Sequence, residues 1–406
     1  MTPRRPGTSG PAEGVNRRSL LGGGLAGAAL ASAAALTVSS APARAADAAP
    51  PGELRVPFHG RRQPGVVDPP PPWSTLVALD LAPGAGRDGL DRLMRVWTDD
   101  IARLMDGSGP ITDQEPELAA RTAGLTVTVG WGPELFDMAG ITGRRPGWLA
   151  PLPPLAVDDL DPAWTGGDLV LQIAAHSPVT VAHARRHLTG AAGDLADVRW
   201  VQPGFREPME RHGWPMRNLF GQVDGTVQPA TDGPDDPLLW IGADGPAGWR
   251  DGTSMVVRRI AMDLADWDRA DRHAREHAVG RRLADGAPLT GGGERTPTDL
   301  SATLPSGLPV IDRHAHVRRA AAQEPHERFL RRPYNYDDPL PGGGHATGLV
   351  FTTFQADPVR QFLPVQRRLA EADLLNLWTR AVGSAVFAVL PGSPEPGSYL
   401  GRHLLA

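Results

Sequence analysis

The feature that most restricts the fold of this chain is an order of apolar segments that occurs twice. Leu76 to Leu81 reads as a strand, and Leu90, Leu93, Met94, Trp97, Ile101 and Leu104 then recur at helical spacing along one face. Apolar strand segments at Leu125 to Gly130 and Asp168 to Ala174, a helix from about Val179 to Leu188 and a strand around Val198 to Gln202 complete the order β-α-β-β-α-β, a ferredoxin-like unit. After Gly225 a similar order returns: a strand at Met255 to Met262, a helix from about Ala265 to Val279, a strand at Leu349 to Gln355, a helix from about Gln361 to Trp378 and a short strand at Val386 to Leu390. The expectation is an α+β chain of two ferredoxin-like halves, residues 46–215 and 216–406, folded as one barrel-like body. Internal sequence similarity is too weak to establish a duplication, so this reading rests on element order.

Composition excludes several chemistries. There is no Cys, which removes disulfides, thiolate nucleophiles, Cys-held iron–sulfur clusters and thioether attachment of a cofactor. Lysine is absent as well, so Schiff-base chemistry and a P-loop lysine are excluded. Residues 1–45 carry five Arg and one Glu, leaving 36 basic against 45 acidic groups in the remainder, a balance that repels nucleic acid and anionic membranes. Asn16-Arg17-Arg18-Ser19-Leu20-Leu21, a Gly/Ala-rich run to about Val38 and then Ala43-Arg44-Ala45 have the form of a twin-arginine export signal with a small-residue cleavage site. The run is too rich in Gly, Ala, Ser and Thr for a stable membrane anchor, so residues 1–45 are read as a cleaved signal peptide and the protein as exported.

Three separated pieces supply an acid, an imidazole and a fixed cation: Gly221-Gln222-Val223-Asp224-Gly225, Ala315-His316-Val317-Arg318-Arg319-Ala320 and Phe329-Leu330-Arg331-Arg332. Each alone is weak, since Asp and Gly are ordinary turn residues. In an extended segment His314 and His316 would point the same way, and the residues by themselves leave open which of them binds a metal.

In order and company these pieces resemble the haem site of dye-decolorising peroxidases. Phe58-His59-Gly60-Arg61-Arg62-Gln63-Pro64-Gly65-Val66, Gly167 to Gln172 and Gly348 to Pro358 extend the resemblance from Phe58 to about Gly392. It implies a dimeric α+β barrel-like body with haem b in the second half, and homo-oligomeric assembly is common in the family. The Ala-His-[Ile/Val]-Arg pattern selects His316 as the iron ligand. Arg331 is implied as the distal cation that favours deprotonated peroxide, and Asp224 as the carrier that moves a proton between the two peroxide oxygens. Gly221 and Gly225 would let the backbone approach the porphyrin, with Phe351 and Phe354 as walls. Asp373, four residues after Leu369 on an apolar helical stripe, is the acid expected to orient the ligand imidazole. A carboxylate base stays ionised in acid where imidazole is protonated, so an acidic optimum is expected.

Two departures stand out. Gln228 replaces an expected Asn after the Asp-Gly-Thr sequence, and Arg62 stands where the family has His. The expected substrates are hydrogen peroxide and small organic donors such as dyes and phenolics. The alternative is a haem-handling protein, deferrochelatase-like, with incidental peroxidase activity; the chlorite-dismutase type is disfavoured by Asp224 on its glycine turn. His273 and His277, four apart on a highly charged helix, read as a solvated face rather than a metal pair. The long segment before Ile311 is placed to cover the cofactor.

Overall fold

Two neighbouring strands of the first half are buried on both faces. In the computed structural model, which describes residues 51–208, 215–228 and 236–406, Thr126–Trp131 (β2) and Leu169–Ala175 (β3) are buried at every position. Trp73–Leu81 (β1) and Ala196–Phe205 (β4) flank them in the order β4-β1-β3-β2, all antiparallel. Gly86–Asp106 (α1) buries every member of the predicted apolar stripe and ends at Gly107, whose φ of 82° favours glycine. Pro178–Ala192 (α2) is capped by the Ser177 side chain.

The second half repeats this topology with Thr253–Met262 (β5), Tyr334–Pro339 (β6), His345–Gln355 (β7) and Thr379–Val389 (β8), in the order β8-β5-β7-β6. First, second, third and fourth strands thus occupy equivalent places in both halves. Two edges join the sheets: β8 to β2 through Ala388↔Trp131 and Val389↔Gly130, and β4 to β6 through Phe205↔Asn335. The eight strands close into one antiparallel barrel, and contacts group Ala49–Ala406 as a single unit. Gln63 stitches the thin β2–β8 seam, since its amide donates to the carbonyls of Val129 and Leu390 and accepts from Val129 N–H.

Three apolar clusters follow from the alternation of strand side chains. Leu76, Ala78, Val170, Met255, Val257, Val350, Phe354, Phe387 and Val389 fill the barrel interior. Val77, Leu79, Val127, Leu171 and Ile173 face α1 and α2 on the outside of the first sheet. Met262, Leu349 and Trp267 form a smaller cluster outside the second sheet, and Ile260 and Phe351 pack against it.

The structure corrects the expected elements in three places. Strand β6 is an addition to the expected elements, since Tyr334-Asn335-Tyr336-Asp337-Asp338-Pro339 is polar and ends in Pro, composition that argues against a strand. The helix expected over Ala265 to Val279 is two, Leu264–Arg269 (α3) and Arg272–Val279 (α4), because Ala270 is extended and Asp271 caps the second. The helix expected to reach Trp378 stops after Phe362–Ala372 (α6 in chain order, His316–Arg319 being α5), and a 3-10 turn over Leu374–Leu377 follows. No helix among the described residues is long and apolar enough to cross a membrane. The proposed signal peptide, 1–45, lies outside the described residues, as does most of the loop expected at Ala230 to Pro237.

Candidate active site

His316 opens α5, and Asp373 sits just after α6. Asp373 is not on the helical stripe as expected: its backbone is extended (ψ 129°), so it ends α6 and caps the following 3-10 turn through Leu375 N–H, 3.0 Å from Oδ1. The other oxygen, Oδ2, lies 2.6 Å from His316 Nδ1. A backbone bond from Leu374 N–H to the His314 carbonyl, 2.9 Å, ties the two segments together. Nor is the His314–His316 segment extended: His314 lies in a turn capped by Asp312, and its carbonyl serves this tie. Burial pulls the His316 imidazole down, but the Asp373 carboxylate outweighs it and holds the group above its ordinary value; Asp224 adds to the rise and Arg331 opposes it. The acid and the cation both act electrostatically on the imidazole.

Asp224 is carried by a two-residue strand, Val223–Asp224, paired with Met216–Arg217. The hairpin is turned by Asn218, whose Oδ1 accepts from Phe220 and Gln222 N–H, and by Gly221 at φ 76°. Gly225, at φ 86°, redirects the chain just after the acid. For Gly221 the need is conformational, since an added Cβ would meet nothing within 4 Å. Its carbonyl is taken by Arg217, which also grips the Leu283 and Ala284 carbonyls and so straps the long loop onto the hairpin.

Arg331 lies on a two-residue strand, Leu330–Arg331, paired with β7 as Thr353↔Arg331 and Phe354↔Leu330. Opposite residues of an antiparallel pair share a face. Leu330 and Phe354 therefore enter the barrel, while Arg331 and Thr353 share the outer face with Phe351. This corrects the expected walls: Phe351 remains on the side of the site, but Phe354, fully buried in the barrel interior, is on the wrong face of the sheet. The Arg331 guanidinium stands 3.7 Å from the Asp224 carboxylate and donates to the Val227 carbonyl at 2.7 Å. Its neighbour Arg332 is fully buried and bonded to the Asp68 carbonyl, which makes it a structural residue.

The donor set fits an iron porphyrin. One imidazole presents Nε2 without a hydrogen-bond partner among the described residues, its Nδ1 held by a carboxylate whose side chain is only 4% exposed. The chain also offers an acid and a fixed cation together, the Asp224 and Arg331 side chains, 16% and 23% exposed and so still reachable. Other candidates do not compete. His277 pairs with Asp312 at 3.4 Å, and His273 merely stacks on it. Among the described residues the one metal-type cluster, Asp113, Glu115 and His183, lines a cavity of about 390 Å³ in the first half, where Asp113 already holds His183 and Arg186 pairs with Glu115.

Comparison with known proteins decides the family. Residues 63–206 match the family model described as Dyp-type peroxidase, N-terminal, and residues 215–394 match Dyp-type peroxidase, C-terminal. The chain belongs to the Dyp-type peroxidase family. A dye-decolorizing peroxidase of Thermobifida fusca is 42% identical across 84% of this chain and 83% of its own. A deferrochelatase of Shigella flexneri is 33% identical across 86% and 87%. The crystal structure of a DyP-type peroxidase from Cellulomonas bogoriensis superposes with a TM-score of 0.85 at 53% identity, covering 88% of this chain and 99% of that one. Ferric DtpA from Streptomyces lividans gives 0.82 at 40% identity, covering 87% and 98%. This Dyp-type peroxidase is thus a haem-dependent oxidoreductase that consumes hydrogen peroxide and an electron donor.

Two glycines outside the motifs also shape the site. Gly280 ends α4 at φ 88°, and a Cβ there would lie 2.5 Å from Val317, beside His316. Gly286, at φ 70°, packs against Val223 in the same way, beside Asp224. A glycine directly after a charged helix was the available clue to the first. Arg62, the departure from the family pattern, pairs with Asp251 at 3.1 Å and lies over the Trp240 ring at 4.5 Å, which makes it a structural anchor near β8.

Proposed function

We propose that His316 would hold the iron of haem b, that Asp373 orients it, and that Asp224 and Arg331 would act on peroxide. The observation that carries this reading is the Asp373–His316 hydrogen bond, which commits Nδ1 and leaves Nε2 for iron, together with the Asp224–Arg331 pair 3.7 Å apart. Bound haem supplies the redox chemistry that accepts the oxidising equivalents of peroxide and passes them to donors. Asp224 would accept a proton from one peroxide oxygen and return it to the other. Arg331, a permanent cation fixed by the Val227 carbonyl, offsets the negative charge that develops on oxygen as the O–O bond weakens. Asp373 accepts a hydrogen bond from Nδ1–H and so keeps imidazole in the tautomer whose Nε2 lone pair is available.

The donors in this reading are organic molecules such as dyes and phenolics. The protein reaches them outside the cytoplasm through the twin-arginine signal in residues 1–45. Replacing Arg17 and Arg18 by Lys and following the protein in cell fractions tests export: retention inside the cell is expected, and unchanged export overturns it.

Relatives named deferrochelatase at 33% identity support a second reading, haem handling with incidental turnover. The two separate on Asp224→Asn and Arg331→Leu assayed at equal haem loading. A peroxidase loses about 10²- to 10⁴-fold in peroxide turnover on losing its proton carrier, and about 10²- to 10³-fold on losing its charge stabiliser. Unchanged turnover in both variants favours the handling role.

A further inference from the structure

The backbone of Arg331 has a partner that its strand pairing does not explain. Arg331 sits on a strand edge, and Arg332 N–H, not Arg331 N–H, donates to the Thr352 carbonyl of β7, at 2.8 Å. The Arg331 N–H and C=O accordingly point away from β7, where an edge residue ordinarily faces water or another strand. The side chain of Gln228 takes both. Arg331 N–H donates to Gln228 Oε1 at 3.0 Å, and Gln228 Nε2 donates to the Arg331 carbonyl at 2.8 Å. Immediately before it, Val227 contributes the carbonyl that accepts from Arg331 Nη2.

We infer that Gln228 is a positioning residue for the peroxide-activating cation: its primary amide acts as a one-residue strand that fixes the Arg331 backbone, while Val227 fixes the guanidinium. Because Val227 and Gln228 lie three and four residues after Asp224, the same loop carries the proton carrier and grips the cation. Acid and cation thus form one mechanical unit, which sets their 3.7 Å separation. Positioning of this kind governs rate steeply, since small misplacements at a reacting centre cost about 10²-fold. The amide is required chemically, as it must accept and donate at once; a carboxylate would turn a lone pair toward the Arg331 carbonyl, and a thioether offers neither function.

This inference rests on the role given to Arg331 above, and the test separates the two. The haem-loaded wild type is compared with Gln228→Met, which keeps the volume and removes the amide, and with Arg331→Leu. The first readout is amide hydrogen exchange of the Arg331 N–H, measured in the peptide spanning residues 329–332. The second is the rate with hydrogen peroxide set against the KM for a reducing donor. In Gln228→Met, exchange at Arg331 is expected to rise about 10- to 30-fold as two hydrogen bonds are lost. The peroxide rate is expected to fall by about 10- to 100-fold with an unchanged Soret band and an unchanged donor KM. Unchanged exchange overturns the clamp, and faster exchange with an unchanged peroxide rate overturns its bearing on chemistry. If Arg331→Leu retains full rate, the role of the cation itself fails and the inference falls with it; if Arg331→Leu is slow while Gln228→Met is not, the positioning claim alone fails.

Discussion

Substituting Asp373 by Asn isolates what its charge does for His316, because the two oxygens of Asp373 have separate tasks. Oδ1 caps the 3-10 turn by accepting from Leu375 N–H, and Oδ2 accepts a hydrogen bond from His316 Nδ1–H at 2.6 Å. Asparagine has a single oxygen. If that oxygen keeps the cap, its NH2 group faces Nδ1, donates to it and drives the ring proton to Nε2, which removes the lone pair that iron requires. If the oxygen turns to His316 instead, the cap is lost. A charge-assisted bond of this kind is worth about 1.5–3 kcal/mol, and removing an outer partner of a metal-bound His typically costs about 10- to 100-fold in affinity. The expectation for Asp373→Asn is therefore a haem dissociation constant raised about 10- to 100-fold, equivalent to about 1.4–2.7 kcal/mol. Titration of haem-free protein with haemin, followed at the Soret band, measures this, and thermal unfolding of the haem-free forms controls for folding. A dissociation constant within about twofold of wild type, alongside loss of ligation in His316→Ala, would refute the assignment of Asp373 as the orienting group.

Three other outcomes follow from the packing. Gly280→Ala places a methyl against Val317 at a left-handed position and should cost about 1–3 kcal/mol, with weakened haem binding from displacement of His316; thermal melts and Soret titration report both. Gln63→Ala strips three hydrogen bonds from the β2–β8 seam and should destabilise the fold by about 1–3 kcal/mol for each buried group left unpaired, seen as a lowered chemical denaturation midpoint with the haem site's spectrum intact. At Asp251, burial raises the carboxyl, but the Arg61 hydrogen bond and the charges of Arg61 and Arg62 outweigh it and leave the group below the ordinary carboxylate range. Its contribution is then fully present above the unfolded carboxyl pKa of about 3.9 and is lost as pH falls through the lower folded value. The stability gap between wild type and Asp251→Asn should accordingly shrink below about pH 4, and a gap independent of pH would show that the charge is not the source.

The sequence by itself determined the chemistry available and the order of the elements. Without Cys or Lys the metal ligand had to come from the remaining side chains, and the glycine-framed acid, the Ala-His-Val-Arg segment and the Leu-Arg-Arg segment were legible because each is local. The apolar stripe of α1 and the doubly buried runs of β2 and β3 were legible for the same reason, since burial periodicity is written along the chain. What tertiary structure alone decided is which face and which partner. Phe351 and Phe354 look equivalent in one apolar run, yet strand alternation sends one toward the site and the other into the barrel. Strand β6 is held by pairing with β7 against the preference of its own residues, a context effect that no local pattern contains. Asp373 meets His316 because the helix ends at Ala372 instead of running on to about Trp378, and Gln228 meets Arg331 across 103 positions of chain. Contacts of that kind form only when the barrel closes, which brings distant backbone groups together whose needs for hydrogen bonds are met nowhere near in sequence.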